Sequence, residues 1–132
     1  MDIPVELTRI IINESSEQQL IVLKEKDGER QVPIVIGIVE IFAIDRRLKG
    51  IRAPRPMTHD LVGDMITDLG GTIEKVVVDD LKDHTFFAKI HVRLGDTVTP
   101  IDSRPSDAIA VGVGMKAPFF VAEHVLEAVS KD

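Results

Sequence analysis

From Phe86 to Arg93 apolar and polar residues alternate without a slip: Phe86, Ala88, Ile90 and Val92 on one side, Phe87, Lys89, His91 and Arg93 on the other. A period of two marks a strand with one face buried and the other turned to water or a partner, because successive side chains point to opposite faces of a sheet. Such a strand cannot stand alone. It needs neighbouring strands for its backbone and a packed layer for its apolar face.

The rest of the chain supplies both. Val5–Ile12 is rich in β-branched residues, Asn13–Ser16 is a polar turn, and Gln19–Leu23 is a second apolar run. Lys26-Asp27-Gly28 is a turn signal and Gln31–Ile36 a third strand, so three antiparallel strands in a meander are expected. Thr72–Asp79 is placed to pair with Thr85–Arg93 in a hairpin around Leu81–His84, and Val98–Ile101 follows the turn at Gly95-Asp96 as a short strand. Helical spacing replaces the period of two at Ile38–Lys49, where Ile38, Ile41, Phe42, Ile44 and Leu48 form a stripe and Gly50 ends the run. Pro54 and Pro56 bar a helix from Ile51–Met57; Thr58 is a good N-cap for a helix to about Leu69. Its stripe is Leu61, Val62, Met65, Ile66 and Leu69. Pro105 favours the first turn of a helix to Val113, and Phe119–Val121 and Glu123–Val129 read as a last strand and helix. Without a βαβα rhythm, the expected class is α+β: a mixed, largely antiparallel sheet with three to four helices packed against it. At 132 residues this is one domain, residues 1–132.

Composition narrows the chemistry. There is no cysteine, hence no disulfide, thiolate metal site or cysteine nucleophile. The start, MDIPVELTRI, lacks the basic and apolar regions of a secretory signal, and no apolar run approaches the roughly 20 residues of a membrane helix, so a soluble, cytoplasmic protein without a membrane partner is expected. The net charge of −6 argues against general binding along a phosphate backbone. The charge is segregated, however. Arg46, Arg47, Lys49, Arg52 and Arg55 fall in ten residues with no acid, a segment of +5 that leaves −11 for the rest and is a candidate polyanion site.

Two segments concentrate polar chemistry beside breaks in the backbone: PRPMTHDL, Pro54 to Leu61, and IDSRPSDAIA, Ile101 to Ala110. Each polar residue in them has two readings. Glu40, upstream in an apolar stretch, is either on the exposed side of its helix, bonded to Arg47 or to the neighbours of Ile44 one turn on, or held in a cleft as metal ligand or general base. Asp60 either offsets a helix dipole or binds metal. His59 has the side chain best suited to proton transfer near neutral pH. Asp64 and Asp68 continue Asp60 as an acidic face, and Asp79, Asp80, Asp83 and His84 crowd a hairpin loop that turn chemistry explains. Arg104 and Asp107 flank a helix start: a cap, with Ser103 or Ser106 bonding free N–H groups, or an anion site to which Arg104 adds a bidentate grip.

Glu40, Arg55 to Asp60, Phe86 to Ala88 and Arg104 to Ile109 follow one another as motifs that resemble those of the bifunctional nuclease family, proteins credited with cleaving both RNA and DNA. The resemblance spans nearly the whole chain and implies a small single-domain member. Two departures stand out. Phe87 replaces an expected tyrosine, and the sequence, ending at Asp132, lacks the C-terminal helical motif that larger members share with excision-repair nucleases. The resemblance implies nucleic acid, RNA and DNA, as substrate. Acting on both rules out dependence on the 2′-hydroxyl, so water must attack, and a divalent ion, Mg²⁺ or Mn²⁺, held by carboxylates is the usual means. Glu40, Asp60 and Asp107 are then the candidate ligands and catalytic carboxylates, His59 the proton carrier, and Arg52, Arg55 and Arg104 the phosphate contacts. The alternative is a non-catalytic, homo-oligomeric scaffold or regulatory module whose motifs only hold the fold. A homodimer is expected, to cover the strand face bearing Phe87.

Overall fold

The computed structural model describes residues 1–13, 15–16 and 18–130. Eleven elements follow in the order β1 (Asp2–Ile11), β2 (Gln18–Glu25), β3 (Gln31–Gly37), α1 (Ile38–Leu48), α2 (Thr58–Asp68), β4 (Thr72–Lys82), β5 (Thr85–Leu94), β6 (Thr97–Ser103), α3 (Pro105–Gly114), β7 (Phe119–Ala122) and α4 (Glu123–Ser130). All seven strands form one sheet in the order β3-β2-β1-β7-β4-β5-β6. Two antiparallel meanders, β1-β2-β3 and β4-β5-β6, are joined by β7, which runs antiparallel to β1 and parallel to β4. The expected α+β class, with a mixed and mostly antiparallel sheet, is what the chain adopts.

Strand β5 behaves as its alternation requires. Ala88, Ile90 and Val92 are buried and pack with Val76 and with Ala108 of α3, while Phe87 and Arg93 face outward. The larger core lies beneath α1, α3 and α4, where Ile41, Ile44, Ile109, Val125 and Leu126 meet Val5, Ile21, Leu23, Val32 and Ile34. α3 is the central helix, with Pro105, Ser106 and every residue from Ala108 to Gly112 buried. It approaches the sheet closely because Gly112 has no side chain: a Cβ there would stand 2.8 Å from the Phe119 ring and 3.0 Å from Val76.

Several local expectations are corrected. On α1, Phe42 and Leu48 are exposed, and only Ile41 and Ile44 of the expected stripe are buried. On α2 the misreading is larger. Leu61, Met65 and Leu69 are 51%, 54% and 75% exposed, and the buried residue is Gly63. The N-cap position of α2 is Met57, not Thr58; Asp60 bonds back to the Met57 N–H at 3.0 Å and so does the capping. Asp79 and Asp80 belong to β4, at a register shift after Val78, and the two-residue turn is Asp83-His84 with both φ angles positive. The turn expected at Asn13–Ser16 includes residue 14, outside the described residues; on its described part Ser15 N–H donates to Asn13 Oδ1 at 3.1 Å.

Candidate active site

Three helix ends meet at the candidate site. Glu40 stands in the first turn of α1, just after Gly37 lets the chain leave β3. His59 stands in the first turn of α2, and Arg104 and Asp107 are the N-cap and third residue of α3. Pro105 sets the start of α3 because its fixed φ suits a first turn and its missing N–H is not needed there. No hydroxyl caps this helix; Ser103 instead donates to the Arg104 carbonyl at 2.8 Å.

These four residues form one chain of contacts. His59 Nε2 lies 2.8 Å from Asp107 Oδ1. Arg104 donates from Nε to Asp107 Oδ2 at 2.9 Å and from Nη2 to Asp107 Oδ1 at 3.2 Å. The same Nη2 reaches Glu40 Oε1 at 3.4 Å. The expectation that Glu40 bonds Arg47 is therefore replaced by a pairing across the fold. Burial pushes the Asp107 carboxyl up, but the bonds and charges of Arg104 and His59 outweigh it and hold the group below the usual carboxylate range. Arg104 is held still more firmly protonated, chiefly by its bond to Asp107. Its side chain is nonetheless 65% exposed, and among the described residues Nη1 donates no bond. A guanidinium with one edge anchored and one edge open can take a phosphate. Beside it a groove of about 370 Å³ is walled by Pro33 to Gly37, Glu40, His84 to Phe86 and Arg104 to Ser106.

Asp60 does not join this group. Its carboxylate is held by Arg47 and, at 3.1 Å, by Arg46. Burial raises its pKa, yet the Met57 N–H and the two arginines bring it below the usual range. Glu40, Asp60 and Asp107 thus fail to converge as a metal ligand set. Asp60 is turned to α1, and the other two share Arg104. Among the described residues no three His, Asp or Glu side chains are placed to hold a metal ion. As they stand, these carboxylates do not fit Mg²⁺ or Mn²⁺, because guanidinium groups already occupy them.

The basic segment also divides. Arg46 and Arg47 serve Asp60, and Lys49 bonds Asp45 at 2.9 Å. Arg52 and Arg55 are exposed and form no ion pair among the described residues. Arg52 borders a second groove with Asp60, Asp64, Asp68 and Lys116. The residue that sequence reasoning placed wrongly is Arg47. It is 8% exposed, and its Nε donates to the Ala110 carbonyl at 2.6 Å. The sequence carries a signal for it in Gly114, whose missing Cβ leaves room for the guanidinium.

Comparison with known proteins identifies the family. The model of the bifunctional nuclease domain matches residues 21–132, and the chain belongs to that family. An uncharacterized protein of Mycobacterium tuberculosis is 35% identical over 122 residues, covering 92% of this chain and 73% of its own length. Bifunctional nuclease 2 of Oryza sativa subsp. japonica is 30% identical over 114 residues, 83% of this chain and 35% of that protein. Bifunctional nuclease 1 of Oryza sativa subsp. indica is 25% identical over 118 residues, 86% of this chain and 36% of that protein. The chain thus spans about a third of the plant relatives. No helix is long and apolar enough to cross a membrane among the described residues.

Proposed function

We propose that the chain is a nuclease that hydrolyses phosphodiester bonds in RNA and DNA, with His59 as general base and Arg104 as phosphate clamp. The observation that carries this reading is the His59–Asp107–Arg104–Glu40 chain of contacts, drawn from three separate helices, of which Arg104 and Glu40 line an open groove. Asp107 accepts the Nε2–H of His59, which fixes the tautomer and leaves Nδ1 free to take a proton from water. Water oxygen attacks phosphorus, its proton passes to His59, and the bond to the leaving ribose or deoxyribose oxygen breaks. That oxygen takes a proton from solvent water, and His59 returns its own to solvent. Arg104 and the first N–H groups of α3 stabilise the charge that builds on the phosphoryl oxygens. Glu40 holds Arg104 from the far side. Arg52 and Arg55 extend the contact to neighbouring phosphates. No 2′-hydroxyl takes part, so one mechanism serves both nucleic acids.

The test is cleavage of labelled single-stranded RNA and DNA by purified protein, with His59→Gln beside it. A general base contributes typically 10²–10⁴-fold, so the variant should lose about that much. Activity that persists in His59→Gln, or that separates from the protein during purification, overturns the reading. Incubations with Mg²⁺ or Mn²⁺ and with EDTA check the carboxylates. Cleavage should survive EDTA, and a strict need for the ion would overturn the metal-free roles of His59 and Arg104.

The scaffold reading keeps one observation in its favour: Arg104, Glu40 and Asp107 satisfy one another without a ligand. Wild-type protein that neither cleaves nor binds oligonucleotides would establish it. Under either reading we propose a cytoplasmic homodimer, supported by the half-exposed Phe87 and by Leu61, Met65 and Leu69 on the outer side of α2. Light scattering at twice the chain mass checks it, and a monomer at all concentrations overturns it.

A further inference from the structure

His59 can bond Asp107 only if the first turn of α2 stands at a fixed place relative to the first turn of α3. Apolar packing goes only part of the way: Ile66 packs half-buried on the core, but α2 fully buries only Gly63 and leaves Leu61, Met65 and Leu69 exposed. A polar anchor must complete the placement. The candidate is the guanidinium of Arg47, in the last turn of α1 and 8% exposed. It donates from Nε to the Ala110 carbonyl of α3 at 2.6 Å and from Nη1 to Asp60 Oδ1 of α2. One glycine clears its path: a Cβ on Gly114 would overlap the guanidinium. Arg46 adds a second hold on Asp60 at 3.1 Å. Asp60 is the next residue after His59.

We infer that Arg47 is a positioning residue for His59: it locks α1, α2 and α3 through Asp60 and the Ala110 carbonyl, and so sets the His59–Asp107 bond. The charge identity matters less than its place. A cation threaded through a glycine notch holds one helix to another by direction as well as by attraction, because the planar fork fixes both donors. The inference rests on His59 being the general base of the proposed reaction, but its structural half is tested without activity.

The experiment is proton NMR of the imidazole N–H of His59, which should be slow to exchange and visible while Asp107 holds it. Asp107→Asn assigns the resonance by abolishing it. Arg47→Met, studied well below its melting temperature, should lose the resonance while the methyl signals of the core stay dispersed. Asp60→Asn keeps the Arg47–Ala110 bond, weakens the hold on α2, and serves if Arg47→Met does not fold; it should lose the resonance too. Arg47→Lys, which keeps charge but not the fork, should restore it only in part. Where wild-type protein cleaves, the folded variants should lower kcat at least tenfold with KM changed less than threefold. A resonance intact in a folded Arg47→Met or Asp60→Asn overturns the inference, whatever the melting temperature. A wild type without nuclease activity removes the proposed function and leaves the NMR result standing.

Discussion

Arg104→Ala separates clamp from skeleton, and the structure sets the size of each effect. Arg104 pairs internally, but its side chain is 65% exposed, against 34% for Asp107 and 22% for Glu40. Exposed pairs are worth about 0.2–1 kcal/mol; the two-bonded contact with Asp107 sits at the upper end and the 3.4 Å contact with Glu40 at the lower. The loss should be about 1–1.5 kcal/mol. Unfolding entropy near 2.1 cal/mol/K per residue gives about 0.28 kcal/mol/K for 132 residues, so the melting temperature should fall by about 5 °C at most. A hydrogen bond to a charged group contributes about 1.5–3 kcal/mol, so affinity for a short single-stranded oligonucleotide should fall by about 10- to 150-fold. Circular dichroism melts at pH 7 and fluorescence anisotropy give both numbers from one preparation. Repeating the melts in 1 M salt should shrink the stability difference, since an exposed pair is screened. A fall above about 10 °C would be the roughly 3–5 kcal/mol of a broken buried pair. That result, with binding unchanged, would place Arg104 in the skeleton and refute the reasoning.

Two further outcomes follow from the charges. Asp60 and Asp107 both have folded pKa values below their unfolded ones, near 3.9, so their contribution is fully present above that pH and is lost as pH falls through the folded values. The stability gap between wild type and Asp107→Asn, measured by urea unfolding, should therefore be present at about pH 5 and shrink as the pH falls below about 4; a gap that stays open in strong acid would contradict the pairing. Charge reversal at Arg52 and Arg55 together should reduce the salt slope of oligonucleotide binding by about one unit for each lost phosphate contact, whereas reversal at Arg46 should chiefly lower stability. An unchanged slope in the double variant would move the polyanion path elsewhere.

What could be read from the chain follows what its residues see locally. The alternation in β5 named its own buried face, and the β1-β2-β3 meander was legible because short polar turns force neighbours to pair. The position of β7 between β1 and β4 was not, since no local pattern in Phe119–Ala122 records a pairing with a strand more than a hundred residues earlier. α2 failed for a different reason. Reading a helix by its apolar stripe assumes that the inward side is the oily one. Here Asp60 and Gly63 turn inward beside an arginine, Val62 and Ile66 are half-buried, and Leu61, Met65 and Leu69 of the stripe face out.

The same principle divides the candidate site. His59, Glu40, Arg104 and Asp107 were legible as candidates because each sits at a helix start or in an apolar run, where a polar side chain needs a reason. Which of them would touch was not legible, because their contacts span up to 64 residues. Asp60 sits in the first turn of α2 as its helix-end reading has it. Its partnership with Arg47 was not legible, because a charge in a basic run reads as solvated and each charge considered alone is cheapest in water. The fold withdraws both from water together. Gly114 makes room for the guanidinium, and a pair costly to bury singly becomes the tie that brings His59 to Asp107. The glycine, not either charge, is where the sequence records that choice.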